Sequence, residues 1–142
     1  IFIFNEIKLE IIRIDAFINN FYYIRQLKKG YAVSKDYLQL GLLPRIFGAD
    51  MSIFVSYGGR FTFTEEQCKR ISSYIKRPMG LMKAACPAPG GGVTDARLNE
   101  LVELYGNDTM FLVGGDMFRR GPDIEANMLY FVERLTKLSE RT

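Results

Sequence analysis

Two glycine-rich stretches contain the residues of this sequence best suited to chemistry, "CPAPGGGV" and "MFLVGGDMF". Their glycines are Gly90, Gly91, Gly92, Gly114 and Gly115. Glycine permits positive φ and has no Cβ, so its backbone N–H groups can converge on an anion. A helix that begins behind such a loop adds partial positive charge. The pattern therefore predicts a phosphate site, with tight turns of purely structural role as the alternative.

A cation that could complete such a site is Arg60, in "SYGGRF". The two glycines before it predict a flexible loop that carries the guanidinium over a bound ligand, whereas the alternative is an arginine in solvent. Arg119 and Arg120 could also neutralise phosphate, although "RR" beside "GPD" is typical of a solvated turn. Asp116 places a negative charge where an anion pocket would disfavour one.

The composition excludes several classes of function. The 142 residues include no histidine, and Cys68 and Cys86 form no CxxC pair, so neither a zinc site nor a histidine-based triad is expected. A net charge of +3, with dispersed basic residues, argues against nucleic acid as a partner. No apolar run approaches the roughly 20 residues of a membrane span, so no membrane role is expected. Free thiols are typical of a reducing compartment, and we expect a cytoplasmic protein.

Three segments predict strands, near residues 51–56, 80–86 and 109–115, and each precedes a predicted helix. Apolar strands that alternate with helices are typical of a parallel sheet covered by helices. Crossovers between parallel strands are right-handed, so the loops after all three strands should lie at one edge. An antiparallel pair of neighbouring strands would contradict this arrangement.

Helix boundaries are predicted from local signals. Thr64 and Gln67 have the spacing of a capping box, and Pro78 predicts the end of that helix. Thr94 is predicted to cap the next helix, and Pro122 to stand at the first position of the last one. An earlier short apolar helix is expected from residue 38 to residue 50.

Residues 1–29 differ in composition from the rest of the chain. Apolar residues recur there at spacings of four and three, at Ile7, Ile11, Ile14, Ile18 and Phe21. This spacing predicts one stripe of a helix, which would either pack in the core or form a dimerisation seam. The chain begins at Ile1 rather than at a methionine, and we expect a C-terminal fragment, a split gene product or a decayed copy.

Four motifs occur in order, "GAD", "YGGRF", "PGGG" and "YGND…GG". Together they resemble the C-terminal part of the RuBisCO large-chain superfamily, more specifically the RuBisCO-like proteins, from about Gly41 to the last helix. The resemblance implies an α/β fold in which residues 34–142 form βα units 6, 7 and 8 of a (β/α)8 TIM barrel. Residues 1–33 would be an additional helical segment.

The resemblance also implies roles for the candidate residues. Arg60 stands where loop 6 of the family carries a mobile lysine, so it is the candidate catalytic residue. The glycines of "PGGG" occupy the substrate loop after strand 7, where Gly90 replaces a serine that is usual in carboxylases. Gly114 and Gly115 match the phosphate loop after strand 8, where Asp116 replaces a third glycine. These departures argue against CO2 fixation and favour the branch that acts on phosphorylated keto-acid sugars.

The family's Mg2+ is held by a carbamylated lysine and carboxylates in a K-x-D-[DE] cluster, which this chain lacks. No metal ligand is therefore predicted here, and we expect no magnesium-dependent activity from this chain alone. In its complete form the protein would be a magnesium-dependent lyase or isomerase that enolises or decarboxylates a phosphorylated keto sugar or sugar acid. The expected partners are that substrate and either a second copy or the missing half-barrel. The alternative is a non-catalytic, phosphate-binding or structural remnant of the fold.

Overall fold

The computed structural model describes residues 2–3, 37–60 and 63–140. A π-helical stretch, Tyr37–Leu42, precedes the first α-helix. The helices are α1 (Leu43–Ile46), α2 (Glu65–Lys76), α3 (Leu98–Tyr105), α4 (Gly115–Arg119) and α5 (Ile124–Ser139). The strands are β1 (Phe2–Ile3), β2 (Met51–Val55), β3 (Cys86–Gly90) and β4 (Phe111–Leu112).

The four strands form one sheet in the order β1-β4-β3-β2. β2 and β3 are parallel, and so are β3 and β4, where Gly90 lies opposite Leu112. The parallel arrangement of the three predicted strands is therefore confirmed. β1 pairs antiparallel with β4, with Phe2 opposite Leu112. The expectation of parallel pairing throughout the sheet is wrong at this edge, because an open strand edge accepts an extended segment in either direction.

Of residues 1–33, the structure describes Phe2–Ile3, which form a strand. The helix predicted for this segment is therefore wrong at these two residues. The predicted apolar stripe from Ile7 to Phe21 lies outside the described residues. The short helix expected over residues 38–50 ends at Ile46.

The position predicted for the second strand, residues 80–86, is wrong. The strand spans Cys86–Gly90, and the preceding residues form a connection in which Met79 bridges to Met82. Two prolines inside "CPAPG" made this segment resemble a turn. As a result Gly90 is the last residue of a strand, and the loop begins at Gly91.

The prolines are tolerated in β3 because alternate residues of a strand turn their backbone groups to opposite sides. The Gly90 oxygen accepts from the Ser56 N–H at 2.8 Å, on the side of β2. The Pro87 oxygen accepts from the Met110 N–H at 2.9 Å, on the side of β4. The missing N–H group of Pro87 therefore falls on the side where the neighbouring strand has only two residues.

The described helices pack on one face of the sheet. Phe54 and Phe111 are buried there against helix residues that include Ile71, Leu101 and Phe131. The opposite face contains a second buried cluster of Ile53, Ala88 and Met110. Successive strand residues point to opposite faces, so Ile53 and Phe54 belong to different clusters.

Side-chain hydrogen bonds stabilise both ends of α2. The predicted capping box is confirmed, since the Gln67 N–H donates to Thr64 Oγ1 at 3.2 Å and the Gln67 side chain accepts from the Thr64 N–H. At the other end the buried Arg45 donates to the Tyr74 and Arg77 oxygens at 2.8 and 2.5 Å. A guanidinium at this position complements the partial negative charge of the helix C-terminus.

Helix α5 begins two residues later than predicted. Asp123 is its N-cap and accepts from the Ala126 N–H at 3.0 Å, while Pro122 lies before the helix. The carboxylate side chain satisfies a free N–H group of the first turn, which a proline cannot do. None of the helices in the described residues is long and apolar enough to cross a bilayer.

Candidate functional site

The loops after β2 and β3 are in direct backbone contact. A Cβ on Gly59 would lie 3.0 Å from the Gly91 carbonyl carbon and 3.1 Å from the Gly92 nitrogen. A Cβ on Gly92 would lie 2.9 Å from the Gly59 Cα. No other residue type fits at these positions without displacing the neighbouring backbone. The glycines of "YGGRF" and "PGGG" therefore serve the close approach of two loops at the carboxyl edge of the sheet.

Arg97 immediately precedes α3, and its side chain contacts both of these loops. Its Nη1 donates to the Tyr57 oxygen at 2.8 Å and to the Gly92 oxygen at 3.0 Å. Its guanidinium lies over the Tyr57 ring, 4.6 Å from the centroid. Glu100 Oε1 accepts from Arg97 Nη2 at 3.0 Å and also from the Tyr57 hydroxyl. Sequence reasoning missed this cluster, whose only local signal is an arginine three residues before a glutamate.

Among the predicted phosphate-binding glycines of the loop after β3, Gly91 and Gly92 have φ of +79° and +74°. Gly91 is exposed, and a Cβ there would meet only Val55 Cγ1, at 3.8 Å. Gly90 is different because a Cβ there would lie 3.1 Å from the Leu112 side chain. A Cβ would therefore find open space at Gly91 but a tight contact at Gly90.

Gly114 and Gly115 lie at the same edge, because Leu112 lies opposite Gly90 in the parallel register. A Cβ on Gly114 would meet no atom within 4 Å, and one on Gly115 would meet only Arg119, at 3.8 Å. Both glycines are exposed. The structure thus brings the two predicted glycine loops to neighbouring strand ends, with open space beside the second.

Asp116 binds the backbone at the start of the helix that follows β3. Its Oδ2 accepts from the Asp95 N–H at 2.9 Å, and its Oδ1 accepts from Arg119 Nη2 at 3.0 Å. Thr94, the predicted cap, makes no side-chain capping bond. Burial alone would raise the pKa of Asp116, but the Asp95 N–H and the arginine charges lower it below its ordinary value.

The Asp95 carboxylate is also surrounded by partners. It accepts from the Tyr130 hydroxyl at 2.7 Å and from Arg134 Nε at 3.3 Å, and Arg120 Nη1 lies 3.8 Å away. The Arg120 guanidinium lies over the Tyr130 ring, 3.4 Å from its centroid. Arg119 and Arg120 therefore neutralise carboxylates of this chain rather than standing free for a phosphate.

Arg60 is exposed and lies one residue beyond the Gly59 contact. Within residues 37–60 and 63–140 it makes no hydrogen bond or ion pair, which distinguishes it from Arg97 and Arg119. Its side chain is accordingly exposed at the carboxyl edge of the sheet.

The titratable groups near the strands are poorly suited to act as a base. The Tyr105 hydroxyl lies 3.1 Å from Ser56 Oγ, and burial raises the pKa of this phenol well above its ordinary value. Burial also raises the pKa of the Cys86 thiol, to about 11. Both groups therefore remain protonated at neutral pH.

A magnesium site does not fit the residues that the structure describes. They contain no group of three or more His, Cys, Asp or Glu side chains that could hold a metal ion. Asp95 and Asp116, two carboxylates beside the glycine loops, already accept from backbone N–H, hydroxyl and guanidinium donors. Mg2+ prefers carboxylate and water oxygens in an octahedral arrangement, which this neutralised pair does not offer.

Comparison with known proteins identifies relatives over most of the chain, although no family model matches it. Ribulose bisphosphate carboxylase-like protein 1 of Rhodopseudomonas palustris is 38% identical over 94 residues, which are 66% of this chain and 26% of that protein. The 5-methylthioribulose-1-phosphate isomerase of Rhodospirillum rubrum is 32% identical over 101 residues, 71% of this chain and 27% of that enzyme.

A solved structure of a similar protein also matches most of this chain. A rubisco-like protein from Alicyclobacillus acidocaldarius superposes with a TM-score of 0.67 at 26% identity, over 79% of this chain and 28% of that one. The chain therefore spans about a quarter of the length of the relatives it matches.

Proposed function

Because this chain is related to a segment of the RuBisCO-like proteins, we propose that the carboxyl edge of β2, β3 and β4 is part of a binding site for a phosphorylated keto sugar or sugar acid. We assign the three strands to βα units 6, 7 and 8 of a (β/α)8 barrel. Their parallel pairing and chain order support this assignment. In such barrels the loops after the last two strands frequently bind phosphate.

The observation that carries the proposal is the contact between the loops after β2 and β3. Gly59 packs against Gly91 and Gly92, so the exposed Arg60 is held beside a loop with positive-φ glycines and open space. In the proposed site the backbone of Gly91, Gly92, Gly114 and Gly115 holds the phosphate. Gly90 contributes as the end of its strand rather than as a phosphate ligand.

Arg60 is the proposed catalytic residue. Removal of a proton next to a ketone carbonyl creates negative charge on the carbonyl oxygen, and a nearby guanidinium stabilises that charge. The relative named 5-methylthioribulose-1-phosphate isomerase supports a phosphorylated ketose as the substrate class. We propose that the whole protein is a lyase or isomerase of this type. Any Mg2+ that it uses would be held by residues other than those described here.

The proposed partner of this chain is a polypeptide that completes the barrel. β2 is the last strand of the described sheet, so one side of its five residues faces no described strand. A (β/α)8 barrel closes only with eight strands. Either the rest of a longer chain or a second copy would supply the additional strands.

A second candidate is a binding or structural role without catalysis. Asp116 favours it, because an ionised carboxylate at the second glycine loop repels a phosphate dianion. The raised pKa values of Tyr105 and Cys86 also leave the described residues without an evident base.

Calorimetric titration tests the proposed site. We expect the purified chain to bind ribulose 5-phosphate and to bind ribulose, which lacks the phosphate, at least tenfold more weakly. Arg60→Gln should weaken the binding of the phosphate ester about tenfold, because it removes a charge-assisted contact. The matched control is Arg70→Gln, which removes an exposed arginine of α2 that pairs with Glu66.

No binding by the unmodified chain would contradict the proposed site. Binding that Arg60→Gln leaves unchanged would contradict the role of Arg60. Turnover of the ketose phosphate by this chain alone, abolished by a chelator, would contradict the prediction that the catalytic metal site lies elsewhere.

A further inference from the structure

We infer that Arg97 is a positioning residue that holds the loop carrying Arg60 against the glycine loop after β3, so that both loops present one fixed surface to a ligand. The inference rests on the proposed function for the identity of that ligand. The coupling of the two loops rests on contacts within the chain alone.

The contacts of Arg97 connect two loops that are about 35 residues apart in sequence. One nitrogen, Nη1, donates both to the Tyr57 oxygen in the first loop and to the Gly92 oxygen in the second, at 2.8 and 3.0 Å. These oxygens flank the place where Gly59 meets Gly91 and Gly92. Arg97 thus fixes the register of the glycine contact, which by itself has no side chain to hold it.

The space left by Gly58 allows the guanidinium to reach this position. Gly58 has φ of +71°, and a Cβ there would lie 2.8 Å from Arg97 Nη1. The first glycine of "YGGRF" therefore accommodates Arg97, and the second accommodates the loop after β3. This division of roles explains why both glycines precede Arg60.

A lysine cannot replace Arg97 at this place. The planar guanidinium donates to two carbonyls and to Glu100 while it stacks on the Tyr57 ring. An ammonium group is a compact point charge and lacks this fork and the planar stacking surface. The site therefore requires arginine specifically, and the conservative substitution gives a graded test.

Native-state proteolysis measures the coupling without any ligand. We expect trypsin to cleave after Arg60 mainly when its loop opens, and cleavage after the exposed Lys83, near the other end of the sheet, serves as the internal reference. Loss of the Arg97 hydrogen bonds in Arg97→Gln should raise cleavage after Arg60 about tenfold relative to Lys83. Arg97→Lys should give a smaller increase, and Arg134→Gln, which removes another partly buried arginine, on α5, should give none.

A purely structural role for Arg97 would raise cleavage at both sites in the same proportion, and that outcome would overturn the inference. An unchanged ratio in Arg97→Gln would also overturn it. If Arg97→Gln does not fold, Arg97→Lys decides, because it keeps the charge but removes the planar fork that donates to both carbonyls. We expect a ratio about twofold to threefold above that of the unmodified chain, and no increase would contradict the inference.

Binding of ribulose 5-phosphate supplies the second measurement. As a single substitution, Arg97→Gln should weaken binding of the ester. Added to Arg60→Gln, it should have little further effect, because Arg97 acts through the position of Arg60. Additive losses in the double variant would contradict positioning. If neither the unmodified chain nor any variant binds the ester, the proposed function is contradicted. The proteolysis result still decides whether the two loops are coupled.

Discussion

The carboxylate of Asp116 accepts a hydrogen bond from the backbone N–H of Asp95 at 2.9 Å, and so joins the loop after β4 to the helix that follows β3. The start of a helix carries free N–H groups and partial positive charge, which makes it a preferred place for an anion. Here a side chain of the same chain provides that anion. Asp116 therefore competes with an external phosphate at this part of the proposed site.

Asp116→Asn should strengthen the binding of ribulose 5-phosphate. The amide oxygen can still accept from Asp95, while removal of one negative charge relieves repulsion of about 1 kcal/mol, or about fivefold in affinity. Calorimetric titration at low salt measures the change. Asp50→Asn is the matched control, because Asp50 is exposed and precedes β2 at the opposite end of the sheet. Equal or weaker binding by Asp116→Asn would show that the carboxylate does not oppose the ligand.

Gly91→Val should weaken binding of the same ester by about 1–3 kcal/mol, the range expected for lost charge-assisted hydrogen bonds. Valine at φ of +79° is strained and would fill the open space beside the loop. The control is Gly80→Val, which introduces the same side chain at φ of +56° in an open turn before β3. Thermal melts of both variants should show a largely intact fold. Equal affinities of the two variants would leave Gly91 as a turn residue.

Thr64→Ala should destabilise the fold by about 1 kcal/mol, because it removes the side-chain acceptor for the Gln67 N–H. Thr94→Ala should have an effect below about 0.5 kcal/mol, since the Thr94 side chain makes no capping bond. Urea denaturation of both variants measures the difference. A cost at Thr94 as large as that at Thr64 would mean that the Thr94 side chain contributes to the start of its helix after all.

The Cys86 thiol should react slowly with iodoacetamide. Burial raises its pKa from 9.0 to about 11, so at pH 8 the thiolate is rarer than in a free cysteine. We expect alkylation about tenfold to 100-fold slower than that of free cysteine, rising as the pH approaches 11. Mass spectrometry identifies the labelled residue, and the urea-unfolded chain is the control. Labelling of the folded chain at the rate of free cysteine would contradict the raised pKa.

The raised pKa of Cys86 also makes the free energy of unfolding depend on pH. The folded pKa of Cys86 lies above the unfolded value, so above pH 9 the unfolded state loses this proton first. The contribution of Cys86 to the free energy of unfolding is therefore complete below about pH 9 and decreases as the pH rises towards 11.

The parts of the fold that follow from local chemistry could be predicted. The apolar runs around Phe54 and Phe111 indicated strands of a parallel sheet, and the spacing of Thr64 and Gln67 indicated a capped helix. In each case the deciding interaction joins residues close in sequence, or a hydrophobic period that any buried strand must show. The sequence also predicts that the glycine loops lie at one edge of the sheet, because each loop follows the carboxyl end of a parallel strand.

The second strand shows where local signals failed. Pro87 indicated a turn because it lacks an N–H group, yet it lies within a strand. Its compatibility with the sheet depends on which neighbouring strand its backbone faces, and its oxygen accepts from the Met110 N–H on the side of β4.

By itself, the sequence determined a parallel α/β arrangement with glycine loops and Arg60 at one edge, because strand period, capping and crossover handedness are properties of short segments. Only the tertiary structure decided how that edge is held together. Asp116 reaches Asp95 across 21 positions, and Arg97 reaches Tyr57 across 40. A hydrogen bond requires a few ångströms in space but no fixed separation along the chain, so such partners become visible only when the strands are paired.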